Sequence, residues 1–229
     1  MNIEHRILNF KIKLQINISK FIFRYSILFL ILIISSCSNP YKNLTKTEYP
    51  INDIQEIPYA LPFSEKALIY KANINFYKND ISGLLIIKKT DNNIYRIALT
   101  TQFGLKIFDF ELNHGILNVK HCIEYLNKEV IIKTFQTDFN LLLMQNNTEA
   151  IYFIKNTEMN QNIWQFSSGK INRYYIQNSE SEKIENISSK KRNSEKISVG
   201  LHNYKANIPM NITLEHHNIK LKMNLKLIQ

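Results

Sequence analysis

An alternation of apolar and polar residues between positions 95 and 112 places the strongest constraint on the fold. In the segment YRIALTTQFGLKIFDFEL, apolar residues recur at every second position on both sides of a short polar stretch. This spacing is typical of half-buried β-strands, so the segment predicts two antiparallel strands joined by a loop. Gly104 can adopt the positive φ that such a loop needs. Phe103 then stands at the loop tip. Its ring either folds back onto an ordinary sheet or, if it cannot reach the core, is a candidate for contact with lipid or a partner protein.

Strand-like patterns continue through most of the chain from position 67. Short turns such as Asn79-Asp80 and Asp91-Asn92-Asn93 separate them, which predicts a meander of antiparallel strands. The further predicted strands are 72–77, 81–88, 116–120, 150–155, 163–167, 170–177, 197–204, 210–216 and 219–227. The polar segment 178–196 is predicted as a long exposed hairpin or mobile loop, with a short strand around 184–187.

After position 127 the spacing of apolar residues changes from every second residue to a helical period, and one helix is predicted there. Asn127 can cap a helix that begins at Lys128, and the helix is expected to end at 146–147. Its apolar residues fall near one stripe, namely Val130, Ile131, Phe135, Phe139, Leu142 and Leu143. The predicted fold class is therefore mainly β with an α lid: a curved antiparallel sheet, or incomplete β-barrel, covered by a helix. The space between the two layers is either a filled core or a hydrophobic pocket, and the sequence leaves both open.

The first 62 residues predict export and anchoring. Residues 1–36 have a basic start and an apolar run at 27–34, which is too short to span a bilayer, as in a secretory signal peptide. The residues before Cys37 resemble the bacterial lipobox, which implies a lipid on that cysteine. Ser38 stands where an aspartate commonly retains lipoproteins in the inner membrane, so the resemblance favours the outer membrane. Residues 37–62 hold four of the chain's five prolines and are predicted to be a flexible tether before a domain at 63–229.

Charge and motifs narrow the class of function. Residues 1–36 carry +4 of the net charge of +10, and the remaining +6 is spread out, which fits a general basic surface or attraction to anionic head groups. The sequence contains no nucleic-acid motif, nucleophile elbow, metalloprotease motif or phosphate loop, so we expect no nucleic-acid partner, no cofactor and no enzyme activity. Asp109 and Glu111 are expected to solvate the outer face of the sheet, and His216 and His217 to lie on the surface. His121 and Cys122, which are adjacent on a strand, point to opposite faces and do not predict a metal site.

Three short motifs together resemble the LolB family of outer-membrane lipoprotein receptors, which has the LolA/LolB-like fold. They are the lipobox at Cys37, the strand–loop–strand at 95–112, and the C-terminal pair of strands containing Ile208-Pro209-Met210 and Ile219-Lys220-Leu221-Lys222. Family members have an incomplete barrel with a helical lid, an apolar cavity for acyl chains, and a protruding loop with an exposed leucine. Phe103 stands at the position of that leucine, whereas Gln102 replaces the usual proline.

The resemblance implies a specific function. The chain would accept acylated lipoproteins from a periplasmic LolA-like chaperone and insert them into the outer membrane, acting as a lipid-anchored monomer that faces the periplasm. The implied insertion loop is Phe103, Gly104 and Leu105. The candidate acyl-cavity residues, for which plain core packing is the alternative, are Ile74, Phe76, Leu85, Ile87, Ile97, Leu99, Phe108, Phe110, Phe135 and Phe139. A structural lipoprotein of an envelope assembly complex, or a carrier of another amphiphile, are alternative functions.

Overall fold

The computed structural model describes residue 41 and residues 44–50, 61, 66–145 and 148–228. The chain divides into two compact units, Met1–Asn43 and Leu44–Gln229, and every described helix and strand lies in the second unit. The predicted signal peptide 1–36, the predicted lipid site Cys37 and most of the predicted tether lie outside the described residues. Among the described residues, no helix is long and apolar enough to cross a membrane.

The described residues of the second unit form one antiparallel sheet and one helix. The strands in chain order are β1 (Lys46–Tyr49), β2 (Leu68–Phe76), β3 (Asn79–Asp91), β4 (Ile94–Thr100), β5 (Lys106–Asn113), β6 (Ile116–Cys122), β7 (Ala150–Asn156), β8 (Gln161–Ser168), β9 (Ile171–Asn178), β10 (Ile184–Lys191), β11 (Ser194–Lys205), β12 (Ile208–His216) and β13 (Leu221–Leu227). The helix α1 (Glu129–Leu142) lies between β6 and β7 in the chain. The prediction of a mainly β chain with one covering helix is confirmed.

The strand order is β1-β7-β8-β9-β10-β11-β12-β13-β2-β3-β4-β5-β6, so β1 and β6 are the two edges. The pairing of β13 with β2 joins the C-terminal hairpins to the meander of β2 to β6. The predicted hairpin at 95–112 is present as β4 and β5, with Ile97 opposite Phe110 and Leu99 opposite Phe108. All four side chains are fully buried, which confirms that the alternating apolar residues face the core.

The sheet must curl around the helix. Strands β10 and β6 are eight positions apart in the strand order, which would separate them by about 38 Å in a flat sheet. Yet α1, whose 14 residues extend about 21 Å, packs against both strands. The predicted curvature of the sheet follows from these two lengths.

Two local predictions are corrected by the structure. The helix begins at Glu129 with Lys128 instead of Asn127 in the N-cap position, where no side chain makes a capping hydrogen bond. It ends at Leu142 instead of continuing to 146–147. The segment 178–196 contains β10 and the start of β11, so the hairpin alternative is confirmed, but the strand is longer than 184–187 and Ile187, Ser188 and Ser189 are buried rather than exposed. Its polar composition misled the prediction because two of the buried positions are serines, which form strand pairs with β9 and β11.

Residues Lys46–Tyr49 lie within the segment that was predicted as a tether, and they form the edge strand β1. The strand pairs with β7 in four-residue register, from Lys46 opposite Ile154 to Tyr49 opposite Ile151. The ring of Tyr49 also packs edge-on against Trp164 at 5.1 Å between centroids. Part of the segment before the domain is thus built into the sheet.

Candidate functional site

The loop between β4 and β5 is a short, internally braced turn. The Thr101 amide donates to the Leu105 carbonyl at 2.8 Å, and the Gly104 amide donates to the Thr101 carbonyl at 3.0 Å. The Leu105 amide also donates to Thr101 Oγ1 at 3.1 Å. Gly104 has φ of +82°, so the predicted left-handed turn is present. These bonds hold the tip in one shape without any packing of the Phe103 ring.

Phe103 is 93% exposed and Leu105 is 70% exposed. A large ring normally folds onto apolar neighbours, because burying it stabilises the protein by about 2 kcal/mol. Here the backbone bonds fix the loop while the ring remains in solvent. The exposed tip expected from the sequence is therefore present, and the insertion role of Phe103, Gly104 and Leu105 stays a prediction.

An ion-pair cluster lies at the base of this loop. Asp109 is buried and accepts hydrogen bonds from Arg96 Nη2 and from Lys106 Nζ, both at 2.8 Å, in addition to a bond from Arg96 Nε. The Arg96 guanidinium, assisted by Lys106, holds the pKa of the Asp109 carboxyl below its usual value. The expectation that Asp109 solvates the outer face is wrong, since its carboxylate instead ties β4 to the first residue of β5.

Gly83 explains how closely β3 approaches this loop. A Cβ atom at this position would lie 2.1 Å from the Thr100 carbonyl oxygen, far inside a normal contact. A side chain there would push the end of β4, and with it the loop, away from the sheet. This constraint could not be predicted from the sequence, because Gly83 lies within an otherwise ordinary apolar strand pattern.

The predicted acyl-cavity residues lie in or against the hydrophobic core. Nine of the ten are buried, and Phe76 is half-buried against Tyr77. Four of them form a cluster of aromatic rings between α1 and β5: Phe108 stacks on Phe110 at 4.4 Å and lies 5.3 Å from Phe135, which stacks on Phe139 at 6.1 Å. These rings fill the space around them. The cavity role of the ten residues stays a prediction.

A groove of about 620 Å³ lies on the other side of the helix, between α1 and strands β9 to β12. None of the ten predicted residues lines it. Its helix wall includes Val130, Thr134 and Thr137, and its sheet wall includes Ile171, Ile197 and Ile219. Three lysines (Lys133, Lys191 and Lys196) and Glu129 also line it. The groove thus combines an apolar lining with a positively charged margin, which is the surface that an amphiphile with an anionic head group would fit.

The two threonines on the helix wall act as apolar residues. Thr134 Oγ1 donates to the Val130 carbonyl at 2.8 Å, and Thr137 Oγ1 donates to the Lys133 carbonyl at 2.9 Å. Because each hydroxyl is satisfied by its own helix, it has less need of a partner in the groove. The methyl groups are what these side chains offer to a ligand.

His216 lines this groove and is hydrogen-bonded to the helix. His216 Nε2 lies 2.7 Å from Asp138 Oδ1, and both side chains are almost fully buried. Burial raises the pKa of the Asp138 carboxyl, which the hydrogen bond with His216 opposes. The second oxygen of Asp138, Oδ2, has no hydrogen-bond partner. The expectation of a surface histidine is wrong for His216, and the pair fixes α1 to β12.

The groove and the His216–Asp138 pair were missed by the sequence reasoning, although one signal was available. Asp138 falls between Phe135 and Phe139, inside the buried stripe of the helix. A carboxylate on an apolar face needs a partner from another element, because an unpaired buried charge is unstable. Pairing Asp138 with one of the six histidines would have been a sound hypothesis.

A smaller, polar cleft lies at the other end of the helix. It has a volume of about 240 Å³ and is lined by residues that include His114, Gln136, Asn140 and Arg173. Asn140 Nδ2 donates to the Gly115 carbonyl at 2.8 Å, and Gln136 Oε1 accepts from the Leu117 amide at 2.9 Å. These bonds attach α1 to the β5–β6 hairpin. Burial lowers the pKa of Arg173.

Comparisons with known proteins find similarity in structure alone. No protein-family model matches the chain, and no curated protein matches it in sequence. One similar solved structure is a domain assigned to an outer-membrane lipoprotein-sorting protein of Vibrio parahaemolyticus, with 9% identity, a TM-score of 0.44, and coverage of 71% of this chain and 83% of that one. A second is a LolA superfamily protein of Nitrosomonas europaea, with 8% identity, a TM-score of 0.47, and coverage of 79% and 92%. At these values neither similarity assigns a function.

Proposed function

We propose that this chain is a lipid-anchored receptor that accepts acylated lipoproteins and inserts them into the outer membrane. In this proposal the lipid is on Cys37, the donor is a soluble periplasmic carrier of the LolA type, and acyl chains enter the groove between α1 and strands β9 to β12. The Phe103 loop then touches the target bilayer. The observation that carries the proposal is an aromatic ring held in solvent by a braced loop, in a domain that also has an apolar groove.

The energetics explain why such a receptor needs both features. Each methylene of an acyl chain buried away from water stabilises a complex by about 0.8 kcal/mol, so a chain exposed to water must always have an apolar partner. The groove supplies that partner, and its open side permits release. An exposed aromatic ring lowers the free energy of the domain when it enters the interface of a bilayer, which brings the groove and the membrane together.

The position of the groove changes the proposed acyl site. The resemblance implied a site walled by the residues of β2 to β5, including Ile74, Leu85 and Phe108. Those side chains pack against one another or against the helix, and opening a space there would separate stacked rings. The groove is already open, so we place the acyl chains there.

The first test measures uptake and delivery separately. The chain without its first 37 residues, which retains the compact unit Leu44–Gln229, is mixed with an acylated lipoprotein on its carrier, with and without vesicles. We expect the wild type to take the client and deliver it, and the Phe103→Glu variant to take it without delivering it. Met159→Glu is the matched control, because Met159 is also an apolar side chain exposed in a turn (65%) and should behave as the wild type. If the wild type never accepts a client, the receptor proposal fails and a structural lipoprotein becomes the better explanation.

A second test locates the acyl site. Thr137→Trp places a large ring in the groove, while Thr90→Trp makes the same change on β3, away from it. We expect the first variant to lose binding of a fluorescent fatty acid and the second to keep it, with both folded by circular dichroism. Equal binding by the two variants would remove the groove from the proposal.

A further inference from the structure

The antiparallel topology gathers several turns at one end of the sheet, around the mouth of the groove. We call this surface the basic rim and define it as residues 77–80, 101–106, 123–133, 191–196 and 217–220. Backbone bonds connect its neighbouring parts: the Tyr77 amide donates to the Lys220 carbonyl at 2.8 Å, and the Ile123 amide donates to the Ile107 carbonyl at 3.0 Å. Val130 and Lys191 both line the groove, so the start of the helix adjoins the β10–β11 hairpin.

The basic rim is positively charged. It holds eight basic residues against four acidic ones, a net charge of +4 from a set in which every residue is described. The basic residues are Lys78, Lys106, Lys128, Lys133, Lys191, Arg192, Lys196 and Lys220. The turns at the opposite ends of these strands are residues 91–93, 113–115, 178–183 and 205–207, and they hold two basic and three acidic residues, a net charge of −1.

The same rim carries exposed apolar side chains. Five of the nine large apolar residues that are exposed in the described part of the chain belong to it: Tyr77, Phe103, Leu105, Tyr125 and Val130. None belongs to the four opposite turns, and the three that lie at that end of the sheet, Ile116, Met159 and Ile228, are each outside them. Amines that reach phosphate groups, beside rings and aliphatic groups that enter the interface, form the chemistry of proteins that bind anionic bilayers.

A nucleic acid would also attract the lysines, but it fits the apolar residues less well. Bases stack on aromatic rings, whereas Leu105 and Val130 are aliphatic and would stay in water on a nucleic-acid strand. A bilayer accepts both kinds of apolar group. The mixture of residues therefore favours lipid.

We propose that the basic rim is a docking surface for bilayers that contain anionic phospholipids, and that it turns the groove mouth and Phe103 toward the head groups. The inference rests on the proposed function in that Phe103 is a member of the rim, but it requires neither a client nor a carrier. It adds a preference for anionic lipids, because the lysines bind the anionic head groups before the apolar loop tip enters the bilayer.

Vesicle binding tests the inference without any client. The chain lacking its first 37 residues is sedimented with vesicles of phosphatidylcholine alone or with about a third phosphatidylglycerol, at low and high salt. We expect binding to the anionic vesicles that weakens as salt rises, and much weaker binding to phosphatidylcholine. Absence of binding to the anionic vesicles, or equal binding to both, would overturn the inference.

A pair of double variants separates the rim from the net charge of the chain. Lys78→Gln with Lys220→Gln removes two charges from the rim, and Lys183→Gln with Lys205→Gln removes two from the opposite turns. Each lysine near an anionic surface contributes about a fivefold change in partition, so we expect the rim variant to bind about 20-fold more weakly and the control to change less than about twofold. An equal loss in both would show that net charge alone drives binding.

Two further readouts complete the test. Thermal unfolding checks that both double variants are folded. Lys78, Lys205 and Lys220 are exposed, whereas Lys183 is half-buried and donates to Asn207 Oδ1. Binding of a duplex DNA that exceeds vesicle binding, and that is lost in the rim variant, would assign the rim to nucleic acid and overturn the inference. If vesicle binding holds while client transfer fails, the docking surface stands and the receptor function falls; the reverse result would reject the rim and keep the receptor.

Discussion

The two sides of the helix differ in how they meet the sheet. Toward β5, Phe135 and Phe139 pack against Phe108 and Phe110, and the space is closed by rings. Toward β9 to β12, the helix presents Thr134 and Thr137, and a groove of about 620 Å³ remains. Both sides are covered by the same helix and the same curved sheet. The difference in side-chain volume between the two sides of the helix therefore decides which side is a closed core and which side is an open groove.

This contrast separates two roles that an apolar interior can have. The aromatic side stabilises the fold, because close-packed rings bury apolar surface and exclude water. The groove side contributes less packing and is held instead by a polar contact, the His216–Asp138 pair. The proposed receptor would need both sides, since the closed half would keep the helix in place while the open half would exchange acyl chains.

The largest effect should come from the aromatic side. Phe135→Ala removes a buried ring from the cluster and should lower the free energy of unfolding by about 3–5 kcal/mol. Val130→Ala, on the exposed groove side of the same helix, should change it by less than about 0.5 kcal/mol. Urea unfolding of both variants measures the difference. Similar losses would mean that the two sides contribute equally, and the contrast would be wrong.

His216→Ala tests the polar contact on the groove side. It leaves a buried carboxyl without its partner and should lower the free energy of unfolding at pH 7 by about 3 kcal/mol, whereas Asp138→Asn, which keeps a hydrogen-bonding group, should cost about 1 kcal/mol. Without His216, the folded-state pKa of Asp138 should rise further. A raised carboxyl pKa favours the folded state at low pH, so the deficit of His216→Ala should shrink as pH falls toward the unfolded value of about 4. A deficit that stays constant with pH would contradict a buried carboxyl.

These two predictions also show how much of the structure could be predicted from the sequence. The alternation at 95–112 was sufficient to predict the hairpin, because only an extended strand puts Ile97 and Leu99 on one face, where both reach the core. The sequence placed Phe103 at the loop tip but left open whether its ring would fold back onto the sheet, and the structure shows it 93% exposed. The groove could not be predicted, because it depends on how β9 to β12 curve past the helix, and on Thr137 and Ile219, which are far apart in sequence. Asp138 was visible in the helix stripe, but its partner is 78 residues away.

Replacing Asp109, which lies on β5 in the aromatic half, should have a smaller effect on the free energy of unfolding, with the opposite pH dependence. Its pKa is lowered by Arg96 and Lys106, so its contribution is complete above the unfolded value of about 4 and is lost as pH falls through the folded-state value. Asp109→Asn should lower the free energy of unfolding by about 1–2 kcal/mol at pH 7, with wild type and variant converging in acid. Unfolding curves at a series of pH values compare the two. If the difference in the free energy of unfolding between wild type and variant grew as pH fell, the pH dependence would have the opposite sign and the ion-pair explanation would be rejected.

The smallest effect is expected at Thr137, on the open side. Thr137→Val keeps the volume and the methyl groups but removes a hydroxyl that already donates to the Lys133 carbonyl. Because the site is exposed and the hydroxyl is not offered to the groove, the free energy of unfolding should change by less than about 0.5 kcal/mol. Binding of a fluorescent fatty acid should be unchanged, in contrast to the loss expected for Thr137→Trp. A severalfold loss of binding by the valine variant would mean that the ligand uses the hydroxyl. The groove would then select a polar ligand, and the two sides of the helix would differ in polarity as well as in side-chain volume.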